Sequence, residues 1–149
     1  IKTSSVYESQ ALLEKDSPKI WDLAYLNLAL SCKTDLSPIS LLKFIKLLEL
    51  KLGRKDTDKW SPRVIDIDIL TFNQLIIKNS QLTIPHKNLL DRPFALLPLA
   101  EINPNWTYPI NDNFYKKKAI ALVKKWHNTD IDNIPLRTKK IPNLVIDLL

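Results

Sequence analysis

Glycine occurs once in these 149 residues, at Gly53, where average usage of about 7% would supply roughly ten. That scarcity excludes the Gly-rich phosphate loops of Walker and dinucleotide-binding folds, so a polyphosphate bound by this chain is held by side chains. The length fits one ordinary domain and a tail. With 45% hydrophobic and 26% charged residues, wholesale disorder, collagen and coiled coil are excluded. A net charge of +6 favours an anionic ligand such as a nucleotide, phosphate or nucleic acid. Cys32 is the single cysteine and forms no internal disulfide. No apolar run approaches the roughly 20 residues that span a bilayer, and the expected location is cytoplasmic. The chain starts at Ile1 and contains no methionine, which reads as a fragment of a longer product.

Hydrophobic periodicity switches along the chain. Thr3 to Ser9 and Ala24 to Lys33 read as strands, the second with Leu26, Leu28 and Leu30 on one face and Tyr25, Asn27 and Ala29 on the other; Gln10 to Asp22 between them reads as a loop. From Pro38 the period lengthens, with Leu41, Leu42, Ile45, Leu48 and Leu52 forming a helical stripe, Ser37 as N-cap and Gly53 just past the end. After a polar loop, Val64 to Phe72 alternates again, with Ile65, Ile67 and Ile69 opposite Asp66 and Asp68. Gln74 to Ile84 reads as a hairpin, Phe94 to Ile102 as a helix, and Phe114 to Trp126 as a helix capped by Asn113. His127 to Lys140 reads as a basic linker, and Leu144 to Leu149 as a further strand. This order predicts an α+β sandwich with helices on a mainly antiparallel sheet.

Asp66 and Asp68 are the sharpest chemical feature. Side chains at i and i+2 of a strand share a face, which places these two carboxylates about 7 Å apart. A bare D-x-D is more often a solvated strand face, but Arg54, Lys55, Lys59 and Arg63 precede this pair, and His86 and Arg92 follow it. Carboxylates that hold Mg²⁺, ringed by cations, suit a polyphosphate and the charge that develops on it in phosphoryl transfer. Trp60, in a polar loop, either stacks on a flat ring or anchors its loop. Asn27 offers an amide to a heterocycle edge, and Tyr25 shares its face. Phe94 reads on composition as core.

Longer motifs carry a resemblance. Leu52-Gly53-Arg54, the run from Trp60-Ser61-Pro62-Arg63 through Asp66-Ile67-Asp68 to Leu70, Ile84-Pro85-His86, Arg92-Pro93-Phe94 and Pro98-Leu99-Ala100-Glu101-Ile102 resemble the 6-hydroxymethyl-7,8-dihydropterin pyrophosphokinases of folate biosynthesis. The likeness runs from Ile1 to Pro109 and more loosely to Trp126. It implies a ferredoxin-like α+β sandwich that uses ATP as co-substrate and two Mg²⁺ ions to transfer the diphosphoryl group of ATP to the pterin hydroxymethyl group. By the same resemblance Asp66 and Asp68 hold metal, and Arg54 and Arg63 lie near the reacting groups. His86 and Arg92 grip the ATP phosphates, while Glu49, Ile69 and Thr83 lie on the nucleotide side. Tyr25, Asn27, Trp60 and Phe94 form the pterin pocket.

Residues 1–126 are thereby expected to form the pyrophosphokinase domain, and 127–149 a linker or the start of a following domain, dihydropteroate synthase in fused family members. Departures are Asp56 where many members carry arginine, Ser61 for glycine, Lys87 for an aromatic or proline and Lys46 for glutamine. The family's first strand and its Gly-Ser-Asn signature are also absent. Asp56 and that strand favour a second reading, a non-catalytic remnant serving as an interaction module. Retention of Asp66, Asp68, Arg63, His86 and Arg92 weighs against it. A basic sheet of this kind also suits single-stranded RNA, but no aromatic-rich ribonucleoprotein motif is present, so no nucleic acid and no membrane partner is expected.

Overall fold

The two N-terminal stretches expected as strands do pair with each other, but through a bulge. In the computed structural model, which describes residues 1–11, 18–54, 63–124 and 135–137, the elements in chain order are β1 (Lys2–Thr3), β2 (Tyr7–Ser9), β3 (Tyr25–Asn27), β4 (Leu30–Ser31), α1 (Pro38–Lys51), β5 (Ile77–Lys78), β6 (Thr83–Ile84), α2 (Pro93–Ile102), α3 (Ala119–Leu122) and β7 (Leu136–Arg137). Single 3-10 turns occur at Lys19–Trp21 and Leu89–Asp91. In β1 Thr3 faces Leu30, whereas in β2 Tyr7 faces Asn27, so residues 4–6 oppose only residues 28–29. One extra residue on one strand is a β-bulge, which bends the strand and raises its twist. Ser4 holds the gap together: its N–H donates to the Ala29 carbonyl at 2.9 Å, and its hydroxyl accepts the Ala29 N–H at 2.9 Å.

Tyr7 and Asn27 are directly paired and share a sheet face, and this is the face that α2 covers. Glu101 of α2 accepts the Tyr7 hydroxyl at 2.9 Å, the Ser5 hydroxyl at 2.9 Å and the Ser5 N–H at 3.2 Å. The alternation read from the sequence is therefore present, with Ala29 buried on the covered side and Leu26 71% exposed on the other. Truncation by Glu101→Ala removes the acceptor of all these bonds and is expected to cost about 2–3 kcal/mol. A lower denaturant midpoint at unchanged slope checks this, and Glu101→Gln should lose less.

α1 starts and stops as its sequence dictates. The Ser37 hydroxyl accepts the Ser40 N–H at 3.2 Å, Pro38 takes the first position, and Gly53 follows the end in the left-handed region at φ +91°. Its inner stripe packs Ile45 on Ile69, Leu82 and Ile84. The β5–β6 hairpin beside it is turned by Asn79, whose Oδ1 accepts the Gln81 and Leu82 N–H groups at 2.9 and 2.8 Å. A second core joins α2 and α3 through Leu96, Leu99, Ala119 and Leu122 around Trp106.

Two expectations are corrected. Residues 64–72 keep the alternation, with Ile69 buried and Asp66 and Asp68 exposed, but form no strand ladder among the described residues. Their backbone groups go elsewhere: the Ile67 N–H donates to the Glu49 carboxylate at 2.7 Å, and the Leu70 carbonyl accepts the His86 N–H at 2.9 Å. The helix expected from Phe114 starts only at Ala119. Lys116 sits at φ 56°, and residues 116–118 pair with residues 107–108 through Lys116 N–H to Tyr108 O and Tyr108 N–H to Lys117 O. Asp112, not Asn113, caps the intervening turn by accepting the Phe114 N–H at 2.7 Å, and Trp126 lies outside the described residues. Within the expected linker, Leu136–Arg137 pairs antiparallel with β2. The remainder of residues 127–149, apart from Pro135, lies outside the described residues. The chain is thus α+β with every named strand pair antiparallel, in sheets ordered β1-β4, β3-β2-β7 and β5-β6.

Candidate active site

Residues 65–72 hold Asp66 and Asp68 outward, with side chains 48% and 40% exposed. Each carboxylate collects cations from a different part of the chain. Arg54, just past α1, sets its Nη1 2.6 Å from Asp66 Oδ1, and Arg63 sets its Nη1 3.3 Å from Asp66 Oδ2. On the other side Arg92 Nη1 lies 3.3 Å from Asp68 Oδ2, and His86 Nε2 lies 3.7 Å from the same oxygen. Arg92 immediately precedes α2, and its guanidinium sits 5.8 Å from the centre of the Phe94 ring, a cation–π contact.

The surroundings shift two of these groups from their ordinary values. Burial pushes the His86 imidazole below its ordinary value, and Arg92 and Lys87 add to this against the opposing pull of Asp68 and Asp66. The ring's Nδ1 accepts the Asn88 N–H at 3.3 Å, and its Nε2 faces Asp68. For Arg54, burial pulls the guanidinium down, but Asp66 and Glu49 outweigh it and hold it above the usual value. It stays charged.

The residues named from the sequence fall into three groups. Arg54, Arg63, Asp66, Asp68, His86 and Arg92 come together in one cluster, with Phe94 beneath Arg92. Tyr25 and Asn27 stand on β3 and share no hydrogen bond or ion pair with that cluster among the described residues. The Asn27 Nδ2 donates inside the sheet, to Ser9 Oγ at 2.9 Å. Trp60, with Lys55 and Lys59, lies outside the described residues.

Glu49, Ile69 and Thr83 were grouped on the nucleotide side, and two of them face inward. Ile69 belongs to the α1 core, and Glu49 is fully buried, accepting Lys46 Nζ at 2.9 Å, Arg54 Nη1 at 2.5 Å and the Ile67 N–H at 2.7 Å. Thr83, in β6, is half-buried. The sequence signal for Glu49 was its place on the apolar stripe, seven residues after Leu42 and four after Ile45, where an unpartnered carboxylate could not remain.

The carboxylate pair fits a hard divalent cation. Two exposed aspartates supply oxygen donors on one face, and no group of three or more His, Cys, Asp or Glu side chains suited to a metal occurs among the described residues. Mg²⁺ uses such sparse protein ligation, taking one or two carboxylates and completing its shell with water and phosphate oxygens. The arginines now paired with Asp66 and Asp68 are the cations that a polyphosphate would meet beside it.

Comparison with known proteins gives a consistent answer. Residues 1–104 match the family described as 7,8-dihydro-6-hydroxymethylpterin-pyrophosphokinase. The folic acid synthesis protein FOL1 of Dictyostelium discoideum is 48% identical over 109 residues, covering 72% of this chain and 16% of that protein. A folate synthesis bifunctional protein of Chlamydia muridarum is 39% identical over 123 residues, covering 81% of this chain and 27% of that protein. The 2-amino-4-hydroxy-6-hydroxymethyldihydropteridine pyrophosphokinase of Aquifex aeolicus is 43% identical over 109 residues, covering 73% of this chain and 65% of that protein. The chain therefore spans less than two thirds of each of these relatives.

Proposed function

Because the chain belongs to the 7,8-dihydro-6-hydroxymethylpterin-pyrophosphokinase family, we propose that it transfers the diphosphoryl group of ATP to 6-hydroxymethyl-7,8-dihydropterin, giving AMP and the pterin diphosphate. The observation that carries this reading is the exposed Asp66–Asp68 pair ringed by Arg54, Arg63, Arg92 and His86. Asp66 and Asp68 would hold Mg²⁺, two ions by family resemblance, which when bound neutralises charge on the phosphate oxygens. His86 and Arg92 grip the phosphates, with Thr83 on the nucleotide side and Ile69 packed in the α1 core. Arg54 and Arg63 face the reacting groups. Tyr25, Asn27, Trp60 and Phe94 hold the pterin ring. A ferredoxin-like sandwich, a cytoplasmic setting and a linked dihydropteroate synthase belong to the same reading; the bifunctional folate-synthesis name of the Chlamydia muridarum relative supports a linked second folate enzyme.

In the reaction the pterin hydroxyl oxygen forms a bond to the β-phosphorus, the bond from that phosphorus to the AMP oxygen breaks, and the hydroxyl proton passes to solvent. No strong protein base is required. Positioning and charge stabilisation carry the rate, and the three arginines and His86 supply donors for it. ATP labelled at the β-phosphorus tests the point of attack. Label on the pterin with unlabelled AMP is expected, and label kept on ADP contradicts the proposal. Trp60→Ala is expected to lower kcat about tenfold through the loss of ring stacking, with ATP affinity within about threefold of the parent by calorimetry.

A further inference from the structure

Glu49 is the one carboxylate of this cluster that no substrate can touch: its side chain is 1% exposed. A buried carboxylate is costly unless its charge and lone pairs are met, and its partners here come from three separate segments. Lys46 lies one turn back in α1, Arg54 lies beyond the helix end, and Ile67 lies on the aspartate-bearing segment. Two of these contacts bear directly on the site. The Ile67 N–H sits between Asp66 and Asp68 in sequence, so its 2.7 Å bond to Glu49 Oε1 pins the backbone that sets the spacing of the two aspartates. Arg54 Nη1 is shared, 2.5 Å from Glu49 Oε1 and 2.6 Å from Asp66 Oδ1. The Arg54 N–H also donates to the Glu49 carbonyl at 2.9 Å, closing the link through the main chain.

We propose that Glu49 is the positioning residue of this site: it keeps Arg54 beside the carboxylate pair independently of Asp66, and fixes the register of the Asp66–Asp68 segment against α1. The assignment rests on the pyrophosphokinase reading for its kinetic consequence but not for its structural one. Asp66 is half exposed and is an oxygen donor that a phosphate-bound metal ion would claim. When Asp66 is engaged elsewhere, the buried partner is what keeps the guanidinium from swinging into solvent. Glu49→Gln retains an oxygen for the Ile67 N–H but loses the charge that holds Arg54.

The structural arm needs no substrate. In ¹⁵N-labelled, metal-free protein the Arg54 guanidinium resonance should stay protected from exchange in Asp66→Ala and lose that protection at least about tenfold on Glu49→Gln. Protection lost in Asp66→Ala and kept in Glu49→Gln would overturn the proposal. In the kinetic arm, Glu49→Gln should lower kcat about 10- to 100-fold with the KM for ATP within about threefold, and the further loss should shrink below about twofold when Arg54 is already alanine. Additive losses, or a lowered melting temperature with unchanged kcat, would count against it. If Glu49→Gln fails to fold, Glu49→Asp, which keeps the charge one methylene short, decides. Reduced kcat with weakened Arg54 protection supports the assignment, and parental values in both overturn it. A parent chain without transferase activity would sink the proposed function while leaving the exchange experiment to decide the role of Glu49.

Discussion

Asp68→Ala should lower kcat by on the order of 10³-fold while changing pterin affinity by less than about threefold, because under the proposed function this carboxylate would hold the Mg²⁺ that neutralises the phosphates and would not hold the ring. Asp68 is 40% exposed and is engaged by Arg92 and His86, so its removal opens no cavity, and stability should change little. Steady-state kinetics paired with pterin binding in the presence of a non-reactive ATP analogue separates the two quantities. Equal loss in both would argue against a metal-holding role for this carboxylate. Loss of melting temperature without loss of turnover would make it structural.

Arg92→Ala is expected to raise the KM for ATP about 10- to 100-fold, the value of a charge-assisted contact to phosphate. Arg92 is well prepared for that contact. It sits immediately before α2, lies against the Phe94 ring at 5.8 Å and bonds Asp68 at 3.3 Å, which together limit its rotamers before any ligand arrives. Arg92→Lys keeps the charge but loses the planar fork and the stacking, so it should recover only part of the affinity. Steady-state kinetics with ATP as the varied substrate measures the KM of both variants. A KM unchanged in Arg92→Ala would remove Arg92 from the phosphate site.

Much of the cluster was legible because its residues obey short-range rules. The period-2 alternation put Asp66 and Asp68 on one face, and α1 was bounded by Ser37, Pro38 and Gly53 as its capping chemistry requires. What the alternation could not say is where the backbone of residues 64–72 finds its partners. A period-2 pattern reports side-chain facing, not pairing, and here the Ile67 N–H goes to a side chain, Glu49, rather than to a strand. The same limit explains the C-terminal misreading. The stripe Ala119, Leu122 and Val123 is buried as a helical face should be, but the turn at Lys116 and the pairing of residues 107–108 with 116–118 are tertiary choices that override propensity before Ala119.

Glu49 is read differently from the structure. Resemblance grouped it with the nucleotide contacts, whereas its position on the stripe of α1, in line with Leu42 and Ile45, already pointed inward. The bulge at residues 4–6 left no mark in the sequence beyond paired serines, and it is the Ser4 side chain and the Glu101 acceptor that hold it.

Incubating the chain with ATP, Mg²⁺ and 6-hydroxymethyl-7,8-dihydropterin, and identifying the nucleotide product by chromatography, tests the central claim most directly. AMP that forms only when the pterin is present is the predicted result. ADP as the product, or no AMP from a sample shown by circular dichroism to be folded, would contradict it.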